Sequence, residues 1–248
     1  MQAGRLLPDP EELNVTTDGS IELSIIIPAY SEAANLELIL PRLKEELEPV
    51  EPSYQIMIVD RVQTTDETEK VCAVNAVSYV NRSPTDSYGD AMRSGIAAVG
   101  GKRILVMDAD GSHDPGFIKE LLSQKEGYDI VIASRYIAGG GSHVSSGSIA
   151  MSRVLNLAFA TAFGLHCSDI SNSFKLYDGQ LLKSLSLDCQ NFDIIQEILV
   201  KMLRRKPDLK IKEVPFHFGQ RLKGTSKREY IKFITSYLRT LLKLRLSV

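Results

Sequence analysis

An alternation constrains this chain more than any other feature. Through the first 135 residues, short apolar runs rich in β-branched residues give way to stretches with helical apolar spacing. Ile21–Pro28 reads as a buried strand and Ala33–Leu47 as the helix after it, and Tyr54–Asp60 with Asp66–Val74 repeats the pair. A short strand near Ala76–Val80 precedes a helix over Gly89–Val99; Arg103–Asp108 then leads to a helix at Phe117–Ser123 and a strand at Asp129–Ser134. Strands that alternate with helices in this way predict an α/β fold, a mostly parallel central sheet with helices on both faces. Beyond it the pattern loosens. A Gly/Ser-rich loop, Gly139–Gly147, precedes a helix at Ser148–Phe163, a strand near Phe174–Tyr177 and a helix at Phe192–Arg204. A strand at Lys210–Pro215, a polar loop Gly219–Arg228 and a final helix follow.

Composition narrows the class. With 248 residues and 44% hydrophobic content, one substantial core is affordable, and a single domain is expected. No run approaches the roughly 18 apolar residues that a membrane span needs. The N-terminus, with Asp9, Glu11 and Glu12 among prolines, lacks the basic and apolar regions of a signal peptide, so a soluble, cytoplasmic protein is expected. Cys72, Cys167 and Cys189 are widely spaced and read as ordinary buried thiols, neither a disulfide framework nor a zinc site. The net charge of −2 hides a division: residues 201–248 hold fourteen Lys or Arg against Asp208, Glu213 and Glu229. A basic tail on an acidic body fits an anionic partner, or else a solvated helix face.

The most informative segment is Arg103–Pro115, where the strand runs into Asp108-Ala109-Asp110. Ligands of open parallel sheets sit at the carboxyl ends of the strands, so both carboxylates are expected at a crevice. Paired carboxylates there can hold Mg²⁺ or Mn²⁺, which takes its other ligands from water and substrate phosphates. The same triplet also serves as a plain strand-end turn, with Asp110 making an Asx turn or capping the next helix.

Four segments recur in one order at strand ends or helix starts: SIIIPAYSEAANL from Ser24, SYGDAMRSGI from Ser87, MDADGSHDP from Met107 and IASRY from Ile132. Together they resemble glycosyltransferase family 2, in its dolichol-phosphate mannose synthase-like branch, over residues 22–228. The resemblance implies the GT-A fold over residues 21–228, after a lead of twenty residues and before a basic C-terminal helix. It implies transfer of a hexose, mannose by default, from a GDP- or UDP-sugar to a polyprenyl phosphate with inversion, and a Mg²⁺ or Mn²⁺ cofactor. Pro28, Ala29, Tyr30, Glu32 and Asp60 then bind the nucleotide; Asp108 and Asp110 bind metal and diphosphate; Ser134 and Arg135 belong to the donor site. Lys175, Arg221, Ser226 and Lys227 are implied to hold the acceptor phosphate, with Asp110, Arg221 and Lys227 central to catalysis. An ionised acceptor phosphate needs no strong general base. Two departures stand out. Ser112 replaces a glutamine of the branch, and the stretch Val59-Asp60-Arg61-Val62-Gln63-Thr64-Thr65-Asp66 carries Arg61 where a second acid is usual.

Among the histidines, His113 reads as a solvent-exposed turn residue and His143 as part of the glycine-rich loop. Glu229–Val248 places Ile231, Ile234, Tyr237, Leu238, Leu241 and Leu242 on one helical face with Lys and Arg mostly elsewhere, as in a helix lying on a lipid surface or packed on its own domain. Relatives of the branch often continue into transmembrane helices here; peripheral contact at the cytoplasmic face of a membrane, a separate membrane subunit or a homo-oligomer is the expectation. Nucleic acid finds no matching motif. A soluble or polysaccharide acceptor, and an inactive nucleotide-sugar-binding scaffold, are the competing functions, the latter because of the Arg61 loop.

Overall fold

The computed structural model describes residues 21–51, 53–143, 146–223 and 230–246, the side chains of 146 and 230–234 excepted. In chain order the elements are β1 (Leu23–Pro28), α1 (Ala33–Leu47), β2 (Tyr54–Asp60), α2 (Thr68–Val74), β3 (Ser78–Asn81), α3 (Tyr88–Ala98) and β4 (Arg103–Val106). A 3₁₀ turn at Pro115–Phe117 leads to α4 (Ile118–Ser123), then β5 (Ile130–Ser134), β6 (Gly141–Ser142) and α5 (Ser146–Phe163). The rest is β7 (Lys175–Asp178), α6 (Gly179–Lys183), α7 (Ile194–Arg205), β8 (Ile211–Pro215), β9 (His217–Phe218) and α8 (Tyr230–Leu246).

Seven strands form one sheet in the order β3-β2-β1-β4-β7-β5-β8. All neighbours are parallel except β7, which runs antiparallel to both β4 and β5. The alternation of β1 explains how the sheet is covered. Leu23, Ile25 and Ile27 point to one face, where Leu36, Leu40 and Leu43 of α1 bury them, while Ile26 points to the other and joins Met92 and Ile96 of α3. Burial on both faces is what makes LSIIIP read as a continuous apolar run. Helix α3 comes close enough to need a glycine: a Cβ on Gly95 would lie 2.5 Å from Ile26 Cγ2.

From β1 the chain goes to β2 on one side and later returns as β4 on the other. Such a reversal of strand order opens a crevice beyond the carboxyl ends of the two strands. The ends of β1, at Pro28, and of β4, at Val106, meet there.

Candidate active site

The β1 end is pinned to the β2 end by backbone and arginine. Ala29 N–H donates to Val59 O at 2.9 Å. Ser31 adopts φ 57°, a conformation that non-glycine residues rarely take, and donates its N–H to Asp60 Oδ1 at 3.3 Å. The other Asp60 oxygen accepts from Tyr79 OH at 3.3 Å, and Asp60 has no exposed surface. Arg82, buried behind them, donates to the carbonyls of Ala29, Val59, Asp60, Asp86 and Ser87. The sequence reading missed this stitch, whose only signal is an arginine directly after β3. Tyr30 carries the Arg61 guanidinium 4.4 Å from its ring centroid.

The β4 end is built differently. Ser173 Oγ donates to Asp108 Oδ1 at 2.9 Å, and Ser112 donates to Asp110 Oδ1 from its N–H at 3.0 Å and its hydroxyl at 2.5 Å. Each carboxylate thus has one oxygen held by a serine, and 27% and 22% of the two side chains stay exposed. Ser112 is 2% exposed and serves the turn. Gly111 makes that turn with φ +83°, and a Cβ there would meet Leu222 Cγ at 2.4 Å.

His113 corrects the expectation of an exposed turn residue: it is wholly buried. Its Nδ1 accepts the Asp108 N–H at 3.0 Å, Nε2 lies 3.2 Å from Asn172 Oδ1, and the ring stacks on Phe174 at 4.6 Å. Burial lowers its pKa against the opposing pull of Asp108 and Asp110, which suits a neutral ring that accepts at one nitrogen and donates at the other. It fixes the backbone of the Asp-x-Asp turn.

The C-terminal loop closes the site from above. Arg221 Nη1 donates to Glu32 Oε1 and Oε2 at 3.0 and 3.1 Å, and its Nε lies 3.4 Å from Asp110 Oδ2. Leu222 N–H donates to Asp110 O and Gly219 N–H to Ser112 O, both at 2.9 Å. Glu32, Asp110 and Arg221 are therefore brought together from β1, β4 and the loop. Ser226 and Lys227 lie outside the described residues.

Under the crevice runs a buried polar layer. Arg135 donates to Asp169 through Nε and Nη2 at 2.7 Å each and through its backbone N–H at 2.9 Å. Ser134, without exposed surface, donates to Glu213 Oε1 at 2.6 Å. Lys175 is also fully buried, donating to Ile170 O at 3.0 Å and to Asn172 O. Burial pulls its pKa down to about 8. Lys175 and Ser134, implied by the resemblance to meet the acceptor phosphate and the donor, thus make these contacts inside the protein and have no exposed surface. Lys175 holds the segment that carries Asn172 to His113 and Ser173 to Asp108. Glu197 of α7 has a comparable internal task, accepting the N–H groups of Asp188 and Cys189 at 3.0 and 2.8 Å. The three cysteines are buried and free, as expected.

Among the described residues no group of three or more His, Cys, Asp or Glu could hold a metal alone. The two carboxylates at the β4 end still fit a hard divalent cation that completes its shell with phosphate oxygens and water.

Comparison with known proteins agrees with this geometry. The family model described as glycosyl transferase family 2 matches residues 24–186. A dolichol-phosphate mannosyltransferase from Pyrococcus furiosus is 30% identical over 90% of this chain, which spans 64% of that relative's length. The Saccharomyces cerevisiae protein of the same name is 29% identical, over 91% of this chain and 87% of its own. Among solved structures, glucosyl-3-phosphoglycerate synthase from Mycobacterium tuberculosis, in complex with Mn²⁺, UDP and glucosyl-3-phosphoglycerate, superposes with a TM-score of 0.66 at 20% identity, covering 91% of this chain and 80% of that one. With the family model covering well over half of the sequence, the mostly parallel sheet and the Asp108–Asp110 turn at its switch point, the chain belongs to glycosyltransferase family 2.

Proposed function

We propose that this protein transfers a hexose, mannose on the precedent of its relatives' names, from a nucleoside-diphosphate sugar to a polyprenyl phosphate, inverting the anomeric carbon. The observation that carries this is the pair Asp108 and Asp110, each with one oxygen held by a serine and a partly exposed side chain at the crevice, with Asp110 beside Arg221, which pairs with Glu32. Asp108 and Asp110 would hold Mg²⁺ or Mn²⁺, which supplies neutralisation of the charge that develops on the leaving diphosphate. Pro28 and Tyr30, at the end of β1, would border the nucleotide, with the buried Ala29 and Asp60 supporting them from behind. Arg221 offers a planar fork that suits phosphate, and Ser226 with Lys227 would extend that role by their place in the motif. The acceptor phosphate is already an anion, so this chain's task is to orient it opposite the leaving group rather than to remove a proton.

A lipid acceptor calls for a surface. Among the described residues no helix is long and apolar enough to cross a membrane. Helices α5 and α8 pack together, with Phe159 edge-on to Tyr237 at 4.6 Å, and leave Val154, Leu157, Leu238, Leu242 and Leu246 exposed. Arg239, Lys243 and Arg245 lie beside the α8 leucines. An apolar surface with basic neighbours supports peripheral contact with an anionic membrane.

The test is transfer of radiolabel from GDP- and UDP-sugars into organic-extractable polyprenyl phosphate with Mn²⁺, Mg²⁺ or EDTA. Metal-dependent label in the lipid phase is expected; label only in water-soluble products would contradict the lipid acceptor.

A further inference from the structure

One guanidinium lies between two carboxylates in the crevice, and it is shared unequally. Arg221 Nη1 donates to both oxygens of Glu32, at 3.0 and 3.1 Å, whereas its Nε stands 3.4 Å from Asp110 Oδ2. The backbone around Arg221 does not explain that choice, because it is fastened to the other partner: Leu222 N–H donates to Asp110 O and Gly219 N–H to Ser112 O, both at 2.9 Å. The loop is seated on the Asp-x-Asp turn, and the side chain that it carries turns to Glu32.

Glu32 is built as a fixed anchor. It directly precedes α1, where its carbonyl accepts the N–H groups of Asn35 and Leu36 at 3.0 and 2.9 Å, and Asn35 Nδ2 donates to its Oε2 at 2.6 Å. Only 9% of its side chain is exposed, against 23% for Arg221 and 22% for Asp110. With Arg221 on both oxygens and Asn35 on one, little of the carboxylate remains for a nucleotide to meet, and its charge repels a diphosphate.

At Asp110 the sharing has a consequence. Oδ1 accepts both the N–H and the hydroxyl of Ser112, which leaves Oδ2 as the oxygen that a cation can reach. A guanidinium closed onto Oδ2 would take up its lone pairs and repel a second positive charge beside it.

We infer that Glu32 is a positioning residue: it holds Arg221 clear of Asp110 Oδ2 and so keeps that oxygen open to a divalent cation. The inference rests on the assignment of the metal to Asp108 and Asp110 made above. Glu32 acts here through Arg221 and touches neither metal nor donor. Without the Glu32 charge, the guanidinium pairs with Asp110 instead and competes with the metal for it.

The test is titration of the full chain with Mn²⁺ alone, read by electron paramagnetic resonance, for wild type, Glu32→Gln, Arg221→Ala and the double variant, with thermal melts to verify folding. Glu32→Gln should weaken Mn²⁺ binding about tenfold. Arg221→Ala should bind the ion as tightly as wild type or more tightly, and adding Glu32→Gln to it should cost under about threefold. Glu32→Ala, which also removes the acceptor of Asn35, should follow Glu32→Gln and replaces it if the glutamine variant does not fold. Unchanged affinity in Glu32→Gln, a marked loss in Arg221→Ala alone, or a loss from Glu32→Gln that is just as large in the Arg221→Ala background would each overturn the inference; the last would make Glu32 a ligand or a plain charge. Wild-type protein that takes up no Mn²⁺ on its own also overturns it and leaves the transfer reading intact. That reading fails separately, if metal-dependent label never enters the lipid phase.

Discussion

The carboxylates at the ends of β2 and β4 occupy equivalent positions in the sheet and are treated in opposite ways. Asp60 is sealed: no surface, both oxygens engaged, an arginine stitch behind it. Asp108 and Asp110 each have one oxygen held by a serine, Asp110 Oδ2 also lies 3.4 Å from Arg221 Nε, and both keep about a quarter of their side chains exposed. A strand end alone therefore does not make a ligand site. The difference lies in which neighbours consume the lone pairs: the β4 end keeps carboxylate surface at the crevice, while at the β2 end Asp60 is covered and Arg61 lies over Tyr30.

Changes at the open end should act on turnover and changes beneath it on stability, which gives four ways to break the contrast. The largest effect is expected from Asp110→Ala, which should lower kcat by about 10³-fold, ~4 kcal/mol, with little change in melting temperature. Steady-state kinetics and a thermal melt, taken together, check it; equal loss of both would erase the distinction. Lys175→Ala should do the reverse. It leaves the carbonyls of Ile170 and Asn172 without their buried donor, at about 3 kcal/mol, seen as a fall in Tm of roughly 6–12 °C.

Asp90, in the first turn of α3, offers a pH-dependent measure. Burial alone would raise its pKa, but hydrogen bonds from Thr85, Arg93 and Ser87 pull it from 3.8 to about 2. A carboxylate depressed in the folded state stabilises above its unfolded pKa, and that contribution is lost as pH falls from about 4 through 2. Asp90→Asn should cost about 2 kcal/mol at neutral pH and flatten the acid limb of the urea-unfolding stability curve in that window. The smallest effect belongs to Ser173→Gly, which frees Asp108 Oδ1; about 1 kcal/mol in kcat/KM, under tenfold, is the expected loss.

Much of the fold was legible because parallel strands buried on both faces leave unbroken apolar runs. Helix α1 and strand β2 have the bounds that spacing predicts, Ala33–Leu47 and Tyr54–Asp60. The direction of β7 was not legible: a four-residue run near Tyr177 carries no mark of running antiparallel between β4 and β5. Helix α6 and the two-residue pair of β6 with β9 are too short for periodicity. In α8, Tyr237 and Leu244 turn inward with Thr240, which donates to Asp193 Oδ2, while Leu238 and Leu242 face out. Several stripes fit one basic, leucine-rich helix, and only the partner surface chooses between them. The Asp-x-Asp pair was legible by motif and position. His113 was misplaced because a polar residue beside a site looks exposed in sequence, and here it is buried with its partners satisfied.

The account rests on the open end of β4, and Mn²⁺ binding tests that most directly. Titrated by electron paramagnetic resonance in the presence of GDP, wild type and Asp60→Asn should bind the ion with affinities within about threefold, while Asp110→Asn should lose it by about a hundredfold or more. Retained Mn²⁺ binding in Asp110→Asn, or its loss in Asp60→Asn alone, would contradict the assignment of the metal and diphosphate to Asp108 and Asp110.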